Sequence, residues 1–239
     1  MKYLYLYIDI FSVALPLLFS FHPRIKFYKY WKAFLPALLI TALLFIIWDE
    51  IFTRDGIWGF NHKYIMRIYV LHLPIEEILF FLCIPYSCIF TYQCITALYQ
   101  IHWKRVPKNS SVVIIAVVLL LTGMLFFTRL YTSFTFISLG LILLLANFIL
   151  KIKWLGKLFL VYALLLIPFF VVNGALTGTG LQEPVVWYDV HQTLGIKMMT
   201  IPLEDIFYGF ELIFINMLFF EYFKTNPIRV HIPYRKYNL

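Results

Sequence analysis

Two acidic pairs stand 128 positions apart in near-identical surroundings: Glu76–Glu77 in "HLPIEEILFF" and Glu204–Asp205 in "TIPLEDIFYGF". Each pair follows a proline, Pro74 or Pro202, and the first leads into 26 residues without a charge, Ile78–Trp103. Paired carboxylates in a poorly hydrated place repel each other and resist ionisation, so one can keep a proton while its neighbour stays an anion. A helix start pulls the other way, and each proline is expected in the first turn, where its missing N–H costs nothing. Such a constellation can donate a proton and hold a negative charge beside the cation it creates. One copy would read as helix-start chemistry. Two copies at matching places point to function.

Further acids lie close by. Sixteen uncharged residues separate Lys32 from Asp49, about 24 Å of helix against a ~30 Å hydrocarbon core, so Asp49 and Glu50 are expected to be drawn into the membrane. Asn173, beside Gly174, holds the matching place in the second half. Glu211 lies seven residues past Glu204 on nearly the same helical face, and Asp9 adds an acid in the same half of the membrane. Ionisable groups in spans face an interior or a cavity. Trp48, Trp58, Phe60, Trp187, Tyr188, Phe207 and Tyr208 crowd the same region. Ring faces stabilise cations, although an interfacial aromatic belt is expected to account for at least half of these residues.

The elements that must carry these groups are membrane helices. The chain has 239 residues, of which 62% are hydrophobic and 13% charged, against roughly 45–50% and 25% for a soluble domain. Seven apolar runs are long enough to span a bilayer: 3–21, 33–50, 74–99, 112–128, 131–150, 157–173 and 200–222. The fold expected is therefore all-α and polytopic. Spans 1–3 and 5–7 form two parallel three-helix repeats, residues 1–105 and 131–239, joined by a linker span within 106–130. Parallel repeats pack around a site at their shared interface.

Lys and Arg set the orientation. Fourteen lie in residues 22–32, 100–111, 151–157 and 223–239, and six in the loops of the other side. The N-terminus is then outside and the C-terminus cytoplasmic, in a bacterial or archaeal membrane. The net charge of +8 is mostly this topology signal, so no nucleic-acid partner is expected. The first span, with Asp9 and Pro16 and no small-residue cleavage site, reads as a retained helix. Cys83, Cys88 and Cys94 have no zinc spacing. The histidines never fall three or four apart, and no Rossmann or Walker loop is present. No metal and no cofactor are expected. Proton chemistry with acids and aromatics, in a membrane, describes a cation-driven rearrangement of a lipid-soluble polyene.

The ordered segments "PLLFSFHPR" (16–24), "WDEIFTRDGIWGFNHKY" (48–64), "LPIEEILFFLCIPY" (73–86), "NGALTG" (173–178), "EPVVWYD" (183–189) and "IPLEDIFYGF" (201–210) resemble the small integral-membrane lycopene cyclases, in their fused single-chain form. These are unrelated to the flavin-dependent cyclases. The family's duplicated Pro-x-Glu-Glu/Asp motif maps onto Pro74, Glu76, Glu77 and Pro202, Glu204, Asp205, which the resemblance makes the catalytic acids. Asp49, Glu50, Trp48, Trp58, Asn61, Asn173, Trp187, Tyr188, Phe207, Tyr208 and Glu211 are the expected substrate-binding or supporting residues. The implied reaction is β-cyclisation of lycopene through γ-carotene to β-carotene, without net redox change. Lycopene and lipid are the implied partners, with a second copy of the chain as a further one. Which carboxylate is acid and which is base stays open. So do a related cyclase or hydratase acting on another ψ-end and, in a different class, a proton-coupled transporter.

Overall fold

A computed structural model describes residues 2–98 and 109–226. Seven helices run among them: α1 (Leu4–Phe19), α2 (Trp31–Arg54), α3 (Ile75–Leu98), α4 (Asn109–Leu125), α5 (Leu130–Leu144), α6 (Leu155–Leu176) and α7 (Leu203–Thr225). Five of these segments are long and apolar enough to cross a membrane; α1 and α4 are shorter apolar helices. With 16 and 17 residues, they cover about 24–26 Å. The fold is an all-α polytopic membrane protein. The boundary placed between residues 105 and 106, and the basic tail after residue 226, lie outside the described residues.

Lipid is as apolar as a leucine side chain, so packing and interhelical hydrogen bonds hold such helices together. Large apolar side chains accordingly face outward, among them Phe11, Leu15, Leu39, Leu43, Ile167 and Val171. The inward faces meet in an aromatic-rich core around Phe27, Phe34, Tyr86, Phe214 and Phe220. Proline inside a helix leaves the carbonyl four residues back without its donor. In α1 that proline is Pro16, and the Ser87 hydroxyl of α3 donates to the freed Ser12 carbonyl over 2.9 Å. The freed carbonyl thereby becomes an α1–α3 contact. Helix α4 packs along α5, where Gly140 brings Leu120 and the Ala116 carbonyl close to its backbone.

Short strands organise the helix ends. A hairpin of β2 (Tyr69–Val70) and β3 (Leu73–Pro74) leads into α3, and one of β5 (Lys197–Met198) and β6 (Ile201–Pro202) leads into α7. They are copies of each other. Tyr69 pairs with Pro74 and Lys197 with Pro202. Leu71 and Met199, 128 apart, both take positive φ, 56° and 60°. Pro74 and Pro202 thus close the hairpins immediately before their helices, rather than sitting in the first helical turn as expected from sequence. The extended backbone of Pro202 (φ −56°, ψ 143°) suits a strand end, and the pyrrolidine ring has no N–H to leave unpaired there.

The two long loops also meet. β1 (Trp58–Phe60) and β4 (Val186–Tyr188) pair antiparallel, with Gly59 opposite Trp187. Those two residues are themselves 128 apart, so each sits across from its own counterpart in the other repeat. The pseudo-two-fold axis passes between them. A side chain on residue 59 would run into the Trp187 indole, which explains a glycine in a strand. Gly178, with φ of 105°, turns the chain just after α6, so the "GALTG" stretch ends a helix.

The helices follow the axis less closely than the loops do. α2 packs along α7, whereas its counterpart α6 meets α3 over a shorter stretch. The space left beside α6 is the site.

Candidate active site

A cavity of about 300 Å³ lies between α1, α3, α6 and α7, under the paired loops. On α3 its lining runs from Glu77 to Thr91, about 21 Å of helix. The cavity is an elongated slot rather than a round pocket. Its walls are mostly apolar and aromatic, and its acids gather at the loop end.

Glu77 and Asp205, at equivalent places in the two repeats, both line it. Each is addressed by a tyrosine from the first helix of its own repeat. The Tyr5 hydroxyl of α1 donates to Glu77 Oε2 at 2.5 Å, and the Tyr131 hydroxyl of α5 donates to Asp205 Oδ1 at 2.6 Å. Beyond this the halves differ. Asp205 Oδ2 also accepts from Tyr188 at 3.0 Å and from Asn173 Nδ2 at 3.1 Å. Burial first, and then the Asp205 carboxylate, hold the Tyr188 phenol well above its ordinary 10.0, so Tyr188 stays a donor. Three donors, from one loop and two helices, hold this one carboxylate in a fixed position. Among the described residues Glu77 has only Tyr5 as a donor, and it shares the cavity with a further carboxylate, Asp49.

The first acids of the two motifs turn elsewhere. Glu76 is fully buried, and its Oε1 accepts from the Met66 backbone N–H at 2.6 Å. Glu204 is its copy: Oε1 accepts from Leu194 N–H, 128 positions after Met66, at 2.5 Å. The Thr132 hydroxyl adds a second donor there at 2.5 Å. These two glutamates pin the hairpins to the helices that follow them.

The remaining candidates divide in the same way. Trp58, Asn173, Tyr188 and Tyr208 line the cavity. Trp48 lies behind the wall, with its ring centroid 4.9 Å from that of Tyr208. Phe207 packs edge-on against Phe136. Glu211 is buried outside the cavity lining, with the Ser138 hydroxyl at 3.0 Å. Trp187 covers Gly59 from the exposed side. Asn61 donates to Glu183 at 2.9 Å, and Lys63 pairs with the same glutamate at 2.8 Å, tying the two loops together. Glu50 faces the surface, where His72 holds it. Asp9 is buried one turn from Tyr5, and neither of its carboxylate oxygens has a partner among the described residues.

Sequence reading missed Tyr5, Tyr131 and Thr132. A signal existed: Tyr5 and Tyr131 are 126 apart, two short of the motif spacing, near the start of the first span of each repeat. Phe60, Phe80 and Phe169 complete the aromatic lining, giving ring faces around a space entered by three carboxylates. Such a space can deliver a proton to an apolar ligand, stabilise a carbocation and remove a proton from it.

Comparison with known proteins agrees with this duplicated plan. The family model described as Lycopene cyclase matches residues 2–95 and 128–223. The two matched stretches carry the two motifs and their tyrosines, and α4 falls between them. No curated protein and no solved structure matches the chain.

Proposed function

This chain belongs to the lycopene cyclase family, membrane enzymes of carotenoid cyclisation, and from that premise we propose that it is a lycopene β-cyclase working by acid–base catalysis alone. The observation that carries the proposal is the convergence of Glu77 and Asp205, from equivalent places in two repeats, on one aromatic-lined slot.

In this reading the ψ-end of lycopene enters the slot from the bilayer with its terminus at the loop end. Glu77 and Asp49 share one proton, as two carboxylates facing a poorly hydrated space do. Glu77 passes that proton to C2 of the terminal C1=C2 bond, which leaves a cation at C1. The C5=C6 bond attacks C1 and closes the six-membered ring, and the charge moves to C5. Trp58, Tyr188 and Tyr208 present ring faces to the cation. Asp205, fixed by its three donors, supplies negative charge that needs no reorganisation, and accepts the proton lost from C6. One proton enters, one leaves, and no electron is transferred. An apolar wall keeps water from capturing the cation as an alcohol.

The same proposal places residues 1–105 and 131–239 as the two repeats and 106–130 as the linker. It puts the N-terminus outside, the C-terminus in the cytoplasm, and the acid end of the slot in the outer half of a bacterial or archaeal membrane. Both acid motifs come from one chain, so the mechanism needs no second copy.

Expression in a lycopene-accumulating bacterium tests the function. Chromatography is expected to show γ-carotene and then β-carotene. Unchanged lycopene would contradict the reading and favour a transporter; a hydroxylated acyclic pigment would favour a hydratase.

A further inference from the structure

The halves differ where the first one reaches the surface. Exposure of successive acidic and basic groups rises steadily outward from the cavity. Asp49 lines the cavity and is 3% exposed. The next residue on α2, Glu50, has a side chain 17% exposed, and His72 beyond it is 57% exposed. His72 meets Glu50 twice: its backbone N–H donates to Oε2 at 3.0 Å, and its ring Nδ1 lies 2.5 Å from Oε1. Inward, Asp49 lies within Coulombic reach of Glu77 and Glu50 and faces the Trp58 indole. Asp49 also acts on Tyr208, and its Oδ2 has no partner among the described residues. Asp205, Glu76 and Asp9 also lie within Coulombic reach of Glu77.

Among the described residues the second half has no such file of groups. Asn173 stands where Asp49 does, and Gly174 follows it where Glu50 would be. Thr200, 128 positions after His72, hydrogen-bonds through its hydroxyl to Thr177, Thr179 and the Gly174 carbonyl. Proton-carrying groups of rising exposure therefore lead from the slot to the surface in the first repeat, and an amide, a glycine and hydroxyls stand in their places in the second.

We propose that His72 and Glu50 reload the Asp49–Glu77 pair with protons from water, so that proton uptake runs through the first repeat while Asp205 of the second receives the proton leaving the substrate. The inference rests on the acid–base cyclase reading. The His72 imidazolium gives its proton to the Glu50 carboxylate and takes another from water. Glu50 hands the proton to Asp49 through water at the cavity mouth, and Asp49 passes it to Glu77. Every group that gives a proton regains one, Asp205 gives up the proton it received to water when the product leaves the slot, and nothing is oxidised or reduced. His72 and Glu50 act through Asp49 and do not touch the substrate.

The alternative is a tether: the same two hydrogen bonds could merely fix the β2–β3 hairpin to α2. Full-length protein in lipid vesicles preloaded with lycopene separates the two. The first turnover uses the proton already on the Asp49–Glu77 pair, whereas later turnovers need reloading. His72→Ala and Glu50→Gln are expected to keep the first-turnover rate and lower the steady-state rate by roughly tenfold or more. Free imidazole in the buffer is expected to restore His72→Ala. Glu50→Gln keeps an acceptor for the His72 backbone N–H, so a tether would survive in it. A first turnover that falls together with the steady state, a steady state that does not change, or no recovery with imidazole would overturn the inference. Wild-type protein that forms no ring would instead end the cyclase reading beneath it.

Discussion

The hydroxyl of Tyr5 stands 2.5 Å from the carboxylate of Glu77, joining residues 72 positions apart. The contact is repeated between Tyr131 and Asp205 at 2.6 Å. A tyrosine from the first helix of each repeat thus orients the acid that opens the third. Hydrogen bonds to charged groups contribute about 1.5–3 kcal/mol, which corresponds to roughly ten- to hundredfold in rate if the bond serves the transition state. Tyr5→Phe and Tyr131→Phe are expected to slow ring formation by that amount while the protein still accumulates. Pigment conversion at matched protein levels measures it, and wild-type rates in both variants would remove the tyrosines from the account.

The four motif acids are expected to separate by position. Glu77→Gln and Asp205→Asn remove groups facing the slot and should lower turnover by about 10²–10⁴. Glu76→Gln and Glu204→Gln keep an acceptor oxygen for the Met66 and Leu194 amides and should remain active. Glu76→Ala would leave a buried amide unpaired at a cost of about 1–3 kcal/mol, read as a lower melting temperature. Equal loss of activity in all four conservative variants would show that the division is wrong.

Gly59 and Trp187 face each other across the β1–β4 pair, where a Cβ on residue 59 would meet the indole. Gly59→Ala is expected to destabilise the protein by about 1–3 kcal/mol through overpacking. Adding Trp187→Ala removes the ring that the new methyl meets, so the double variant should lose less than the sum of the two single losses. Thermal unfolding of the three variants in detergent decides it; simple additivity would mean that the indole yields freely.

The loop tie of Glu183 carries a pH signature. Hydrogen bonds from Lys63 and then Asn61 hold Glu183 below its ordinary 4.5, and Glu183 holds Lys63 above its ordinary 10.5. A lowered acid contributes above 4.5 and fades as pH falls through its folded value. A raised lysine contributes below 10.5 and fades as pH rises through its folded value. The contribution is therefore flat in between. Glu183→Gln is expected to change activity by no more than about twofold, since exposed pairs contribute little. The change should be the same at every pH between 4.5 and 10.5 and shrink on the acid side. A difference that varies through neutral pH would assign Glu183 another role.

Much of this was legible in the residues, and the remainder was hidden for identifiable reasons. The 128-residue spacing of Pro74 and Pro202 exposed the repeat, and charge scarcity exposed the helices. Glu76 and Glu77 could not be told apart, because neighbours on a helix point about 100° from each other and either could face the slot. The hairpins turn at Leu71 and Met199 with positive φ, a conformation usually marked by glycine or asparagine. Neither residue signals a turn. Tyr5 and Tyr131 lie inside apolar runs far from the acids they serve. Glu50, Asn61, Trp187 and Phe207 were drawn in by adjacency to the motifs, while their side chains pack or pair outside the cavity.

Cyclisation of lycopene by the purified protein in deuterated water, with no flavin, nicotinamide or metal added, tests the central claim most directly. A carboxyl on Glu77 that exchanges with solvent adds its hydrogen to C2, and Asp205 takes a different hydrogen from C6. Each β-ring is therefore expected to carry one deuterium at C2. Rings that form without deuterium at C2 would contradict Glu77 as the proton source, and with it the acid–base account of the slot.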